Sequence, residues 1–181
     1  MARMRGYVDR SSLPEGAKGS HDKILATRKV ILGPIAWVLP HTPEVAVHMA
    51  ALGDAVRKTS VLGKDHLQIV ACLAVHALKN AYLWQAHLRT ARKAGVSPQT
   101  LAAIESGGPL DALAPEVALI LQYGRELSGA REISSATFDS LHARFGDTGM
   151  MELATVYGYY LAMTAVAKTA GIEPDSVSGQ G

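Results

Sequence analysis

Between His76 and His87 the chain gathers two imidazoles, an amide and two aromatic rings: His76, Asn80, Tyr82, Trp84 and His87. If the stretch is helical, steps of three, four and seven return side chains to one face. His76, Asn80, Leu83 or Trp84, and His87 then share a stripe. Such a stripe suits a pocket for a small organic acid. His87 is the natural general acid or base in it, because an imidazole titrates near neutrality. Asn80, and Gln68 further upstream, could donate hydrogen bonds to a developing oxyanion, a role that needs no titratable proton. Tyr82, Leu83 and Trp84 would wall the pocket and exclude water.

Each of these residues also has a purely structural use. His76, four residues before an Asn on a half-buried helix, reads as a satisfied core or interface residue. His87 could hydrogen-bond across a subunit contact, and Tyr82 and Trp84 could be core aromatics. Arg89, Arg92 and Arg125 could meet a substrate carboxylate or simply face water. A metal site is not expected: on a straight helix His76 and His87 stand about 16 Å apart, and no His-x-x-x-His or Glu-x-x-His pair occurs there. The single cysteine, Cys72, sits in the apolar run from Leu67 to Leu73. It reads as a small buried hydrophobe, and one cysteine allows neither an internal disulfide nor a Cys-x-x-Cys pair. Gly107-Gly108 lacks the spacing of a phosphate loop, and no Gly-x-Ser-x-Gly elbow is present.

The elements that must position these side chains are helices. Thr42-Pro43 opens one that runs to about Arg57, with Val45, Val47, Met49, Leu52 and Val56 as its expected inner face. A long pattern from Lys64 to Ala94 loses its period near Lys79 to Ala81, where a break is expected; Gly95 stops it. Ser97-Pro98 starts a short helix, and Gly107-Gly108-Pro109 is a loop. Pro115 begins the next helix. Ser135 is the expected cap of another, whose face is Phe138, Leu141 and Phe145. After a turn at Gly146 to Gly149, a last helix turns Leu153, Val156, Tyr157, Tyr160 and Met163 inward. No segment alternates with period two. The expected class is all-α, with an extended N-terminal arm over 1–22, one helical domain over 23–172 and a flexible tail over 173–181.

Composition agrees with one core: 181 residues, 48% of them hydrophobic, with a formal net charge of +2. Interspersed acids and bases give no reason to expect a nucleic-acid partner. The apolar run from Val30 to Leu39 is too short to span a bilayer and holds Pro34, so the expectation is a soluble, cytoplasmic protein with no membrane partner.

Tyr82-x-Trp84, His87 and the close Ala91-Arg92-Lys93-Ala94-Gly95-Val96-Ser97 together resemble the signature helix of the carboxymuconolactone decarboxylase family. Its superfamily includes the AhpD-like alkylhydroperoxidases. The resemblance runs from about Pro40 to Ile104, and more loosely to Gly171. It implies an AhpD-like antiparallel helical bundle that assembles as a homo-oligomer, a trimer or hexamer. Peroxidase members carry Cys-x-x-Cys-x-x-x-His here; Asn80 and Leu83 stand in the two cysteine positions, which excludes a dithiol peroxidase. The family's helix-opening Glu corresponds to Gln68, nineteen residues before His87, or to His66 if two residues are inserted.

The resemblance implies a decarboxylase, lyase or isomerase that needs no cofactor and acts on a small carboxylate or lactone, in aromatic-compound catabolism. His87 would be its acid/base and Gln68 and His76 its companions, with Asn80, Tyr82, Leu83 and Trp84 around the substrate. The reading from a different class is a non-catalytic member that binds a small molecule or a protein. Loss of both cysteines, of the helix-opening Glu and of the family's Glu between Tyr and Trp, where Leu83 stands here, favours it. A peroxide-related role that borrows a thiol from another protein is a third.

Overall fold

Helix boundaries in this chain are set by its Pro, Gly and Asn residues. The computed structural model describes residues 2–7, 9–130 and 132–174. In it helices α1 (Glu15–Leu25), α2 (Ile35–Val38), α3 (Pro43–Lys58), α4 (Lys64–Ala77), α5 (Ala81–Lys93), α6 (Pro98–Ser106), α7 (Pro115–Ser128) and α8 (Ser135–Ala170) follow one another. Proline occupies the first turn of α3, α6 and α7, where its missing N–H costs nothing. No strand occurs among the described residues.

Helix α4 is the axis of the fold. Every residue from Leu67 to Val75 is buried, as expected of a helix enclosed on all sides. It packs against α5, α6, α7 and α8, while α1 and α2 lie on α3 and α3 reaches α8. The expected break after α4 is sharp. Lys79 takes a left-handed conformation (φ 49°), and Asn80 caps α5, its side chain accepting from Leu83 N–H at 2.9 Å. The break swings α5 back beside α4, so the stripe read along one continuous helix is divided between two.

Helix α8 is two helical segments that meet across a kink, where the sequence placed a turn. Gly146 interrupts it with φ 61° and ψ −175°, a conformation that glycine adopts without steric penalty. Its cap is Ser134, one residue before the expected Ser135, with the side chain accepting from Thr137 N–H. Beyond the bend, Leu153, Val156, Tyr157, Tyr160 and Met163 are buried as expected. Glu152 on α8 accepts from Ser60 Oγ at 2.6 Å and Val61 N–H at 2.8 Å, fixing the α3–α4 connection.

Three expectations are corrected. The segment 1–22 is not an extended arm, since α1 begins at Glu15. Its glycines and charged residues hide a helix that tertiary contacts hold. Ala17 and Ile24 are buried, and Ser20 Oγ donates to Glu44 on α3 at 2.9 Å. The preceding residues fold back on it. Arg10 grips Asp22 through two hydrogen bonds of 2.8 and 2.9 Å, and Tyr7 Oη meets His21 Nε2 at 3.1 Å. Second, α3 turns Ala46, Ala50, Gly53 and Val56 inward and leaves Val45 and Leu52 exposed. Third, Phe138 is exposed, while Leu141 is buried. The tail expected to be flexible lies outside the described residues from position 175 on.

Candidate functional site

The last turn of α3, the middle of α4, the outer face of α5 and the centre of α8 meet around a cleft of about 700 Å³, closed on one side by the 27–35 connection. Each element contributes through its own register. Helix α4 brings Gln68, and α5 brings Tyr82, Leu83 and His87, the last two being one turn apart. Tyr159, Tyr160 and Met163 come from α8, and Asp54, Arg57 and Lys58 from α3.

His87 is packed edge-on against Tyr160, with ring centroids 4.7 Å apart at 82°. Its Nδ1 is buried without a hydrogen-bond partner. Burial, and after it the nearby positive charge of Arg57, lowers its pKa from the usual 6.5 to about 4. At neutral pH the ring is therefore an uncharged imidazole that can take up a proton. The same cleft borders Gln68, which is 8% exposed and whose buried Oε1 also lacks a partner.

Basic side chains dominate the walls: Arg28, Lys29, Arg57, Lys58 and Arg89 against the single acid Asp54. Asp54 organises three of them. It lies 2.7 Å from Arg28, 3.0 Å from Arg57 and 3.4 Å from Lys58. Its burial resists ionisation, but hydrogen bonds from Arg28 and its other cationic neighbours prevail and keep the carboxyl below its ordinary range. Arg28 also donates to the Ala50 carbonyl, yet its Nε is buried and unpartnered. Burial works against the charge on Arg57 too. The phenol oxygens of Tyr160 and Tyr159 beside it outweigh that effect, and its pKa stands above the usual value. Gly53 is required at this place, because a Cβ there would collide with the Tyr159 hydroxyl.

The structure gathers Gln68, Tyr82, Leu83 and His87 around one cleft and leaves His76, Asn80 and Trp84 out of it. Asn80 has both ends of its amide occupied: Oδ1 caps α5, and Nδ2 donates to the Ile172 carbonyl at 3.2 Å. His76 faces a separate cleft with Lys79 and Arg125, its ring 5.3 Å from Trp84. His66 points away from Gln68, with Nδ1 3.5 Å from Glu116 and its ring against Phe145. The ungapped placement, Gln68, is therefore the one that shares the cleft with His87. Among the arginines weighed from sequence, Arg89 lines the cleft. Arg125 instead donates to the carbonyls of Ala103 and Gly108.

Arg28, Asp54 and Arg57 escaped the sequence reading, since they come from a connection and a helix end far from the motif. The apolar stripe of the last helix had already turned Tyr160 inward. Cys72 is fully buried, and burial raises its thiol pKa to about 12. Among the described residues no three His, Cys, Asp or Glu side chains converge as a metal site would require, and no helix is long and apolar enough to cross a membrane.

Residues 43–123 match the model of the carboxymuconolactone decarboxylase family. No curated protein matches the chain significantly. Among solved structures, the chain is similar to an uncharacterized peroxidase-related protein from Ralstonia eutropha JMP134 described as an alkylhydroperoxidase AhpD core. The TM-score is 0.73 at 18% identity, covering 99% of this chain and 97% of that one. An uncharacterized peroxidase-related protein from Silicibacter sp. TM1040 gives 0.67 at 15% identity, over 99% and 97%. A protein of unknown function from Agrobacterium tumefaciens gives 0.61 at 16% identity, over 73% and 91%. These likenesses establish the fold and leave the reaction open. Over residues 43–123 the chain is similar to the carboxymuconolactone decarboxylase family; its all-α fold is AhpD-like, and it lacks the Cys-x-x-Cys pair.

Proposed function

We propose that the chain is a cofactor-independent decarboxylase, lyase or isomerase for a small organic acid or lactone of aromatic-compound catabolism, working as a homo-oligomer. The observation that carries this reading is the cleft itself. The buried side-chain atoms without a hydrogen-bond partner among the described residues, Arg28 Nε, Gln68 Oε1 and His87 Nδ1, all belong to residues that line it. Unpaired buried polar atoms are costly, and in a folded protein each calls for a catalytic role, a ligand, an ion or a water; three of them around one cleft favour a functional site.

In this reading the basic wall draws in an anion and Arg57 binds its carboxylate. Neutral His87 then removes a proton from the carbon beside the carbonyl. The electron pair moves to the carbonyl oxygen, where the guanidinium groups stabilise the enolate. Return of the proton to a second carbon completes an isomerisation. In the decarboxylating variant the breaking C–C bond supplies the same enolate, and protonation of carbon follows. Of the two amides that the sequence offers for the oxyanion, Asn80 is occupied, and Arg57 and Arg28 take its place. Tyr82, Tyr159 and Tyr160 limit water around the reacting carbon.

The test is product analysis by mass spectrometry, with wild type and His87→Ala run against ring-cleavage lactones, β-keto acids and lignin-type aromatic acids. Loss of carbon dioxide, or an isomer shift, in wild type alone is the expected result. Equal turnover in both would remove His87 from the mechanism. Saturable binding of these acids without turnover in either would make the chain a binding member of its family.

A further inference from the structure

The unpartnered atoms of the cleft also specify what the ligand must offer. Arg28 is held by Asp54 and the Ala50 carbonyl, so its Nε–H points where those contacts fix it and needs an acceptor. Gln68 Oε1 is an acceptor and needs a donor. An anion alone satisfies the first and not the second. An ammonium group is disfavoured as that donor, because the walls carry five basic side chains against one acidic and repel it. What remains is a neutral donor on the same molecule as the anion, of which the O–H group is the smallest.

We infer that the cleft takes a hydroxy acid, its carboxylate on Arg28 and Arg57 and its hydroxyl donating to Gln68 Oε1. The inference rests on the proposed function only in placing the ligand in this cleft. A volume of about 700 Å³ accommodates a single-ring acid with its substituents. The consequence is a preference for the ring-opened acid over its lactone, because closing the lactone removes the hydroxyl proton that Gln68 accepts.

The test is calorimetric binding with the full chain and three aromatic hydroxy acids of different hydroxyl placement: mandelate, 3-hydroxy-3-phenylpropionate and 4-hydroxybenzoate. Each is paired with its O-methyl ether and its deoxy acid. At least one hydroxy acid is expected to bind about ten-fold more tightly than both partners, the ether failing because it accepts but cannot donate. Gln68→Met, close in shape, should erase that preference while carboxylate binding persists. Gln68→Glu keeps an acceptor and should weaken all three acids of a set while preserving the preference. Arg57→Met should weaken all of them alike. Equal affinities within every set, or a preference that survives Gln68→Met, would overturn the inference. Turnover is not the readout, so a hydroxyl preference without catalysis would sink the proposed reaction and leave this inference standing.

Discussion

Two clefts flank helix α4, and each holds one of the histidines that the sequence placed on a single stripe. The cleft around His76, about 390 Å³, is lined by the ends of α4, α6 and α7 and also contains cations, Lys79 and Arg125. Two of its polar side chains are firmly occupied. Arg125 donates to two backbone carbonyls, and Ser128 meets both Tyr157 Oη at 2.7 Å and the Gly124 carbonyl at 2.6 Å. None of its side chains has a buried unpartnered polar atom among the described residues, whereas the His87 cleft has three such side chains. Cations at helix C-termini are what the helix dipole favours, so the His76 cleft reads as packing. Histidine and arginine content does not separate the two; unfinished hydrogen bonding does.

The sharpest way to break this contrast is to remove each histidine in turn. His87→Ala should lower kcat/KM by about 10²- to 10⁴-fold, the usual worth of a positioned general base. His76→Ala should stay within a few-fold, by the same product assay. A comparable loss from both would mean that the second cleft takes part.

A pH series sharpens the same contrast. His87 in the folded chain has a pKa of about 4 against 6.5 when unshifted. Between those values the unfolded chain binds a proton that the folded chain does not. Stability should therefore be highest above pH 6.5, fall as pH drops toward 4, and level off below, with a total of up to about 3 kcal/mol from this residue. His87→Leu should flatten that part of the curve in denaturant titrations, and His76→Leu should not. The acid limb of kcat/KM should likewise lie near pH 4 rather than 6.5.

Asn80 divides the two regions, and its replacement tests whether the break or a substrate explains its burial. Asn80→Ala removes the cap of α5 and leaves the Leu83 N–H and the Ile172 carbonyl without their partner. A loss of about 2 kcal/mol in unfolding free energy is expected. A stable variant with a raised KM would instead return Asn80 to the ligand.

The break was legible as a lost period near Lys79, and the helix ends were legible from Thr42-Pro43, Gly95, Ser97-Pro98 and Pro115, because these residues act locally. His87 and Gln68 could be named because a motif and a fixed spacing carry them. Arg28 and Asp54 could not, since nothing local marks a residue whose role depends on three other helices arriving. The α1 helix escaped for the same reason: its glycines and charges argue against it locally, and only α3 beside it makes it worthwhile.

Helix α3 carries the most instructive error and the smallest expected effect. The large residues Val45 and Leu52 sit at helical spacing and read as an inner face, yet they are 50% and 43% exposed. Ala46, Ala50 and Gly53 face inward because α1 and the Tyr159 hydroxyl approach the α3 backbone too closely for larger side chains. Leu52→Ser should then change stability by no more than about 0.5 kcal/mol. Ala50→Leu, conservative by hydropathy, should cost about 1–3 kcal/mol through overpacking. Both are read from denaturant midpoints, with sedimentation run alongside. A larger cost for Leu52→Ser, accompanied by a smaller sedimenting species, would show that another copy of the chain covers this outer face in the proposed homo-oligomer. The apolar spacing of α3 would then mark an interface, not a core.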